Sequence, residues 1–104
     1  MALASKRQFI RRPNGDQALQ VQDTEALFLG KRVRRWINVE RPALPELEQL
    51  DWSAVLDDLR VPPGNHFEAL KDNRRGQHSI RINDRWRVCF VWTVDGSKDV
   101  EIVD

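Results

Sequence analysis

Apolar and polar positions alternate with period two in two successive stretches of the second half of the chain. Between Gln77 and Asn83, the residues His78, Ile80 and Ile82 fall on one face and Gln77, Ser79, Arg81 and Asn83 on the other. That spacing predicts a half-buried strand. Trp86, Val88, Phe90 and Trp92 repeat it against Arg87, Cys89 and Val91. Asn83, Asp84 and Arg85 are left for the turn, and a loop of those residues opposes Ile82 to Trp86 and Ile80 to Val88 in one continuous apolar face. It also sets Arg81 opposite Arg87. Like charges directly across a ladder cost a few tenths to about 1 kcal/mol. Either the two side chains splay into water, or an anion between them turns the cost into binding.

The turns and helices come before this hairpin. Pro62, Pro63 and Gly64 end any preceding helix, because proline fixes φ and disfavours helix in the residue before it. Met1 to Gln20 reads as a polar, basic lead-in with a Pro13-Asn14-Gly15 turn signal, expected to be largely mobile, in which Ala18, Leu19 and Val21 make at best a short strand. Asp23 and Thr24 followed by an apolar run to Leu29 and then Gly30 predict a short capped helix with a glycine stop. Lys31, Arg32, Arg34 and Arg35, interleaved with Val33 and Trp36, form a basic run open to three readings: a solvated face, a contact for an acidic partner, or an RNA contact. Pro42 and Pro45 suit the opening turn of a second helix but not its interior. That helix is therefore expected to start late and to carry Leu44, Leu47, Leu50 and Ala54 at helical spacing, with Trp52 in the core. Asp51 or Ser53 is placed to cap a short turn through Val55, Leu56 and Leu59. Asp95-Gly96 marks another turn, and Asp99 to Asp104 a last strand with Val100 and Ile102 on its apolar face. The sum is an α+β two-layer domain, two N-terminal helices packed on an antiparallel sheet of three to five strands.

A chain of 104 residues makes one domain and buries about 60 to 70% of its unfolded surface. The formal net charge of +1 becomes informative only once it is mapped. Lys6, Arg7, Arg11 and Arg12 meet no acid before residue 16. From His66 to Trp92 six bases (Lys71, Arg74, Arg75, Arg81, Arg85, Arg87) outnumber three acids (Glu68, Asp72, Asp84), and Thr93 to Asp104 holds four acids against Lys98. Charge is segregated rather than high, which suits a local anion site better than a general basic coat. Cys89 stands alone, which rules out a disulfide framework and suggests a reducing compartment. No run approaches the roughly 20 apolar residues of a membrane span, and Met1 to Gly15 lacks a signal-peptide core, so the expected location is the cytoplasm.

No His/Cys/carboxylate spacing suits a metal and no glycine loop suits a nucleotide phosphate, so neither metal nor cofactor is expected. Ser79, His78 and Asp84 lack any supporting motif for a catalytic triad. His78, on the isoleucine face, reads as a structural histidine. Fixed cations remain. They suit phosphoryl chemistry on RNA, in which the substrate's own 2′-hydroxyl attacks the neighbouring phosphate and the protein supplies positioning and charge stabilisation.

The runs LDDLRVPPGN, FEALKDNRRGQHSIRIND, RWRVCFVW and DVEIVD closely resemble the HigB toxins of the RelE/ParE superfamily, the killer proteins of type II toxin–antitoxin operons. The resemblance covers roughly Thr24 to Asp104, with residues 1–20 as a leader and 21–104 as the toxin domain. It implies a RelE-like fold with an N-terminal strand, two helices and an antiparallel sheet. The implied activity is ribosome-dependent, metal-independent cleavage of mRNA, an endoribonuclease that inhibits translation. The implied partners are the ribosome, its mRNA and a helix-turn-helix, HigA-like antitoxin, through which alone the toxin would meet DNA. Carried over position by position, the family's catalytic lysine falls on Lys71, its arginine on Arg87 and its aspartate on Asp104. Lys71 and Arg87 would hold the scissile phosphate, Asp104 would assist proton transfer or orient the 2′-hydroxyl, and Arg74, Arg75 and Arg81 would bind RNA backbone. Members usually continue past this aspartate with a Tyr-His pair, whereas this sequence holds no tyrosine. That departure motivates a second reading, a degenerate toxin that only binds its antitoxin or a ParE-like inhibitor of DNA gyrase. A third is a general single-strand RNA binder that stacks bases on Trp and Arg.

Overall fold

Val21, Thr24 and Leu27 recur every third residue and all three are buried, so this segment meets the rest of the chain along one helical stripe. In the computed structural model, which describes residues 15–104, they lie in α1, Gly15–Phe28. The helix begins well before the expected cap at Asp23, and Ala18, Leu19 and Val21 are helical rather than a strand. The pattern hid this because a threonine stands at the centre of the buried stripe. Its hydroxyl donates to the Gln20 carbonyl at 2.8 Å and accepts from the backbone N–H of Ile102 at 3.2 Å, so a polar side chain is satisfied in a buried place. The glycine stop stands where expected. Gly30 has φ 91°, its N–H donates to Leu27 and the N–H of Lys31 to Ala26, both at 3.0 Å, the bond pair that closes a helix through a left-handed residue. Of the expected lead-in, residues 1–14 and any strand in them lie outside the described residues, and residues 15–20 belong to α1.

The second helix, α2, runs Glu40–Trp52 and does not start late. Pro42 is its third residue, where the N–H would have no partner in the helix. Pro45 lies further in and removes a single bond, a loss that the packing of Ala43, Leu47 and Leu50 into the core outweighs. Trp52 is not in the core. It is 67% exposed, because on a 100° helical wheel it stands roughly opposite the stripe through Ala43, Leu47 and Leu50. Ala54 lies beyond the helix and is exposed. The following 3₁₀ turn, Leu56–Arg60, is capped neither by Asp51 nor by Ser53. Asp58, inside the turn, does it: one carboxylate oxygen accepts from the N–H groups of Ala54 at 2.9 Å and Val55 at 3.2 Å.

Four strands follow: β1 (Glu68–Ala69), β2 (His78–Arg81), β3 (Arg87–Thr93) and β4 (Gly96–Val103). They form one antiparallel sheet in sequence order. The central register is the expected one, Ile80 opposite Val88 and Arg81 opposite Arg87. Asn83 makes the turn by accepting from the N–H groups of Arg85 and Trp86 at 3.0 and 2.9 Å. β4 is longer than the strand expected from Asp99, because Gly96, Ser97 and Lys98 already pair with β3; a bulge then shifts the register between Cys89 and Val91, with Asp99 at φ 50°. Ile80, Val88, Phe90, Val100 and Ile102 meet Leu27, Trp36, Leu47 and Leu50 in a single core between the helices and one face of the sheet. The other face is lined by buried polar groups. No helix among the described residues is long and apolar enough to cross a membrane.

Candidate anion-binding site

Alternation sends Ser79, Cys89 and Glu101 to the face away from the helices, and all three are buried. Polar groups out of water need partners, and here two arginines supply them. Arg87, on β3, donates through Nε (2.9 Å) and Nη2 (2.6 Å) to the hydroxyl of Ser79 and through Nη2 (2.9 Å) to the carbonyl of His66. The carboxylate of Glu68, on β1, lies 3.0 Å from the same Nη2. Nη1 of Arg87 donates to no described residue. Arg74, in the middle of the loop that joins β1 to β2, reaches back across the sheet, where its Nη1 lies 2.9 Å from Glu101 and 3.0 Å from the Gln77 side-chain oxygen. Burial opposes its charge, but the hydrogen bond and charge of Glu101 outweigh that and raise its pKa.

The loop that carries Lys71 is closed by a backbone bond from Leu70 to Gln77 at 2.9 Å and turns through Asp72 at φ 56° and Gly76 at φ 91°. This conformation leaves Lys71 and Arg75 exposed, and neither is ion-paired among the described residues. The remaining cations of the stretch are engaged. Arg81 pairs with Asp84 in the turn, so each member of the Arg81/Arg87 like-charge pair holds its own carboxylate. Asp104 pairs with Arg85 at 3.0 Å, both half exposed or more. Asp104 follows Val103, the partner of Arg87 across the sheet. Of the residues singled out from sequence, the fold gathers Arg74 and Arg87 on one face of the sheet, with Lys71 and Arg75 in the same β1–β2 loop as Arg74. Asp104 is held in a separate pair at the sheet's other edge, with Arg85 of the β2–β3 turn.

Cys89 lies between the two arginines. Burial pushes its thiol up to about 11, against the pull of Arg74 and Arg87 and with a further push from Glu101 and Glu68. It is a protonated core thiol rather than a nucleophile. A thiol whose folded pKa lies above its ordinary value of 9.0 favours folding below pH 9, and that contribution is lost as pH climbs from 9 to 11. Between 9.0 and about 11 the loss amounts to about 2–3 kcal/mol. Chemical denaturation from pH 8 to 11 should show wild type falling relative to Cys89→Ala by that amount. Parallel curves would refute it.

His78 is stacked between Phe67 (ring centroids 5.3 Å apart, planes 5° apart) and Phe90 (6.2 Å). Burial and then the charge of Arg60 lower its pKa, which keeps the imidazole neutral in its aromatic sandwich. It borders a cavity of about 430 Å³ together with Val55, Leu56, Arg60, Phe67 and Glu68. That cavity meets the arginine cluster only at Glu68. No group of three or more His, Cys, Asp or Glu among the described residues is arranged to hold a metal.

Glu68, Ser79 and Glu101 escaped the reading of the sequence as site residues. Glu101 had a signal: it alternates with Val100 and Ile102, so an acid was bound to face inward on the polar side of β4. Glu68 had none, since β1 is two residues long.

The model of a family described as RelE-like toxin of type II toxin-antitoxin system HigB matches residues 30–104. Toxin HigB-1 of Vibrio cholerae is 46% identical to this chain over 59 residues, 57% of this chain and 61% of that protein. An uncharacterized protein of Haemophilus influenzae is 32% identical over 53 residues, 51% of this chain and 52% of its own length. The chain thus spans between half and two thirds of the curated relatives it matches.

Proposed function

Since the chain belongs to the HigB-like toxins of type II toxin–antitoxin systems, we propose that it is a ribosome-dependent, metal-independent mRNA endoribonuclease that arrests translation and is neutralised by a helix-turn-helix, HigA-like antitoxin. The observation that carries this reading is the setting of Arg87. Ser79, the His66 carbonyl and the Glu68 carboxylate fix its guanidinium through Nε and Nη2, while Nη1 donates to no described residue. A planar cation held in that way is prepared for a phosphate oxygen without reorganising as charge develops. Lys71, exposed and without an ion pair among the described residues, adds a second, mobile charge on the reacting phosphate. Arg75 and Arg81 extend the path of the RNA backbone, and Arg74 anchors the loop beside it. Asp104 is tied to Arg85 and would have to leave that exposed pair to act on the 2′-hydroxyl.

The competing reading is a non-catalytic toxin that binds its antitoxin or acts on DNA gyrase. It draws support from four guanidinium groups, those of Arg74, Arg81, Arg85 and Arg87, that already hold carboxylates. One assay separates the two. Purified full-length chain added to reconstituted translation should cut message within ribosome-bound codons. Intact message at saturating protein would overturn the nuclease reading, and loss of gyrase supercoiling activity under the same titration would establish the competitor.

A further inference from the structure

Resting on the nuclease reading, we infer that the cavity beside Glu68 is a guanine-selective subsite, in which Arg60 reads the base of a nucleotide that flanks the scissile phosphate. The cavity holds about 430 Å³, within the roughly 300–1,000 Å³ of small-molecule sites. It meets the arginine cluster at Glu68, whose carboxylate lies 3.0 Å from Arg87. A phosphate on Nη1 of Arg87, which donates to no described residue, therefore brings a nucleoside to the mouth of the cavity.

The walls decide what kind of group enters. Val55, Leu56 and Phe67 are apolar, and His78, stacked on Phe67, is kept neutral by burial and by the charge of Arg60. The charged side chains at the cavity are one base, Arg60, and two acids, Asp57 and Glu68. That balance disfavours a second phosphate and favours a flat, neutral ring.

Arg60 decides which ring. Its Nε donates to Oδ1 of Asp57 at 2.6 Å, and its Cζ lies 5.0 Å from the centroid of the Phe67 ring. The guanidinium is thus held by one nitrogen and against one aromatic face, while Nη1 and Nη2 donate to no described residue. Two N–H groups side by side on that edge match O6 and N7 of guanine; adenine puts an amino donor where O6 stands, and neither pyrimidine presents such a pair of acceptors. Asp57 orients the fork without occupying it. Both members of the pair are largely exposed, so it adds little to stability, and its loss registers in base selection rather than in folding.

The test compares the full wild-type chain with Arg60→Ala, Arg60→Lys and, as control, Arg41→Ala, an exposed base on α2. Ribosome-bound messages carry guanine, 7-deazaguanine, adenine, cytosine or uracil at each position flanking the cut, and single-turnover cleavage is measured at saturating protein. Ribosome-free binding is measured in parallel with end-labelled trinucleotides that carry the same bases at their centre. Wild type and Arg41→Ala are expected to favour guanine about 5- to 150-fold at one flanking position, the discrimination of one bidentate arginine–guanine pair. 7-Deazaguanine lacks the N7 acceptor and should forfeit most of that advantage. Both Arg60 variants should cut the four natural messages at rates within about twofold of one another, lysine included, because an ammonium keeps the charge and lacks the fork. A guanine preference that survives in either Arg60 variant would overturn the assignment, as would a wild type that cuts all four messages equally or favours another base. If wild type leaves every message whole yet binds the guanine trinucleotide preferentially through Arg60, the nuclease reading fails and the subsite stands. No cleavage together with equal binding of all four bases sinks both.

Discussion

Arg87→Ala is expected to slow message cleavage about 10²- to 10³-fold at saturating protein, the scale of removing one preorganised donor from a developing oxyanion. The same change leaves the hydroxyl of Ser79 and the carbonyl of His66 without their shared donor, so some stability is lost as well. Arg87→Lys separates the two effects. It keeps the charge but cannot serve Ser79, His66 and a phosphate at once, since an ammonium lacks the planar fork. Its rate should lie less than about tenfold above that of the alanine variant, and single-turnover assays at equal ribosome occupancy decide it. A lysine variant at the wild-type rate would mean that charge alone, rather than the held geometry, matters.

Arg74→Ala is expected to give the largest loss of stability. It removes one of the partners of Glu101, whose side chain is fully buried, and breaking a buried pair from one side costs about 3–5 kcal/mol. Arg74 itself is a third exposed, so water can reach part of the gap and the lower end applies. At about 4–8 °C per kcal/mol for a chain of this size, 3 kcal/mol lowers the Tm by about 12–24 °C. The double variant Arg74→Met with Glu101→Leu removes both charges together and should regain most of that loss. A single variant that melts within 4 °C of wild type would show that Glu101 does not depend on Arg74. The pair also bears on function, because it fastens to the sheet the loop from which Lys71 and Arg75 project.

The sheet was readable from sequence where side-chain alternation and turn chemistry agreed. Ile80 opposite Val88, the Asn83 turn and the inward Val100 and Ile102 all follow from period-two spacing. The helices were harder for a physical reason in each case. In α1 the buried stripe runs through Thr24, whose hydroxyl finds both its partners only after the last strand is in place. In α2 the prolines suggested a late start, yet a proline at the third position of a helix costs no bond, and core packing tolerates the second. Trp52 was assigned to the core by residue type, and the helical wheel overrules residue type. At the candidate site the cations were legible and their partners were not. Glu68 and Glu101 reach the arginines only through strand pairing, across 19 and 27 residues of chain respectively. What looked from sequence like a bare positive hollow is therefore a partly neutralised one, and an incoming phosphate must compete for it.

The seam between α1 and β4 also limits how the molecule can associate. At Ile102 the outward-facing N–H is taken by Thr24, and the carbonyl lies 3.5 Å from the Gln20 amide. A foreign strand arriving along that margin would meet a donor and an acceptor already engaged, and would have to peel a helix away to reach them. Growth of the sheet by a strand from another chain is steered instead toward β1, two residues long and too short to template more than a brief pairing.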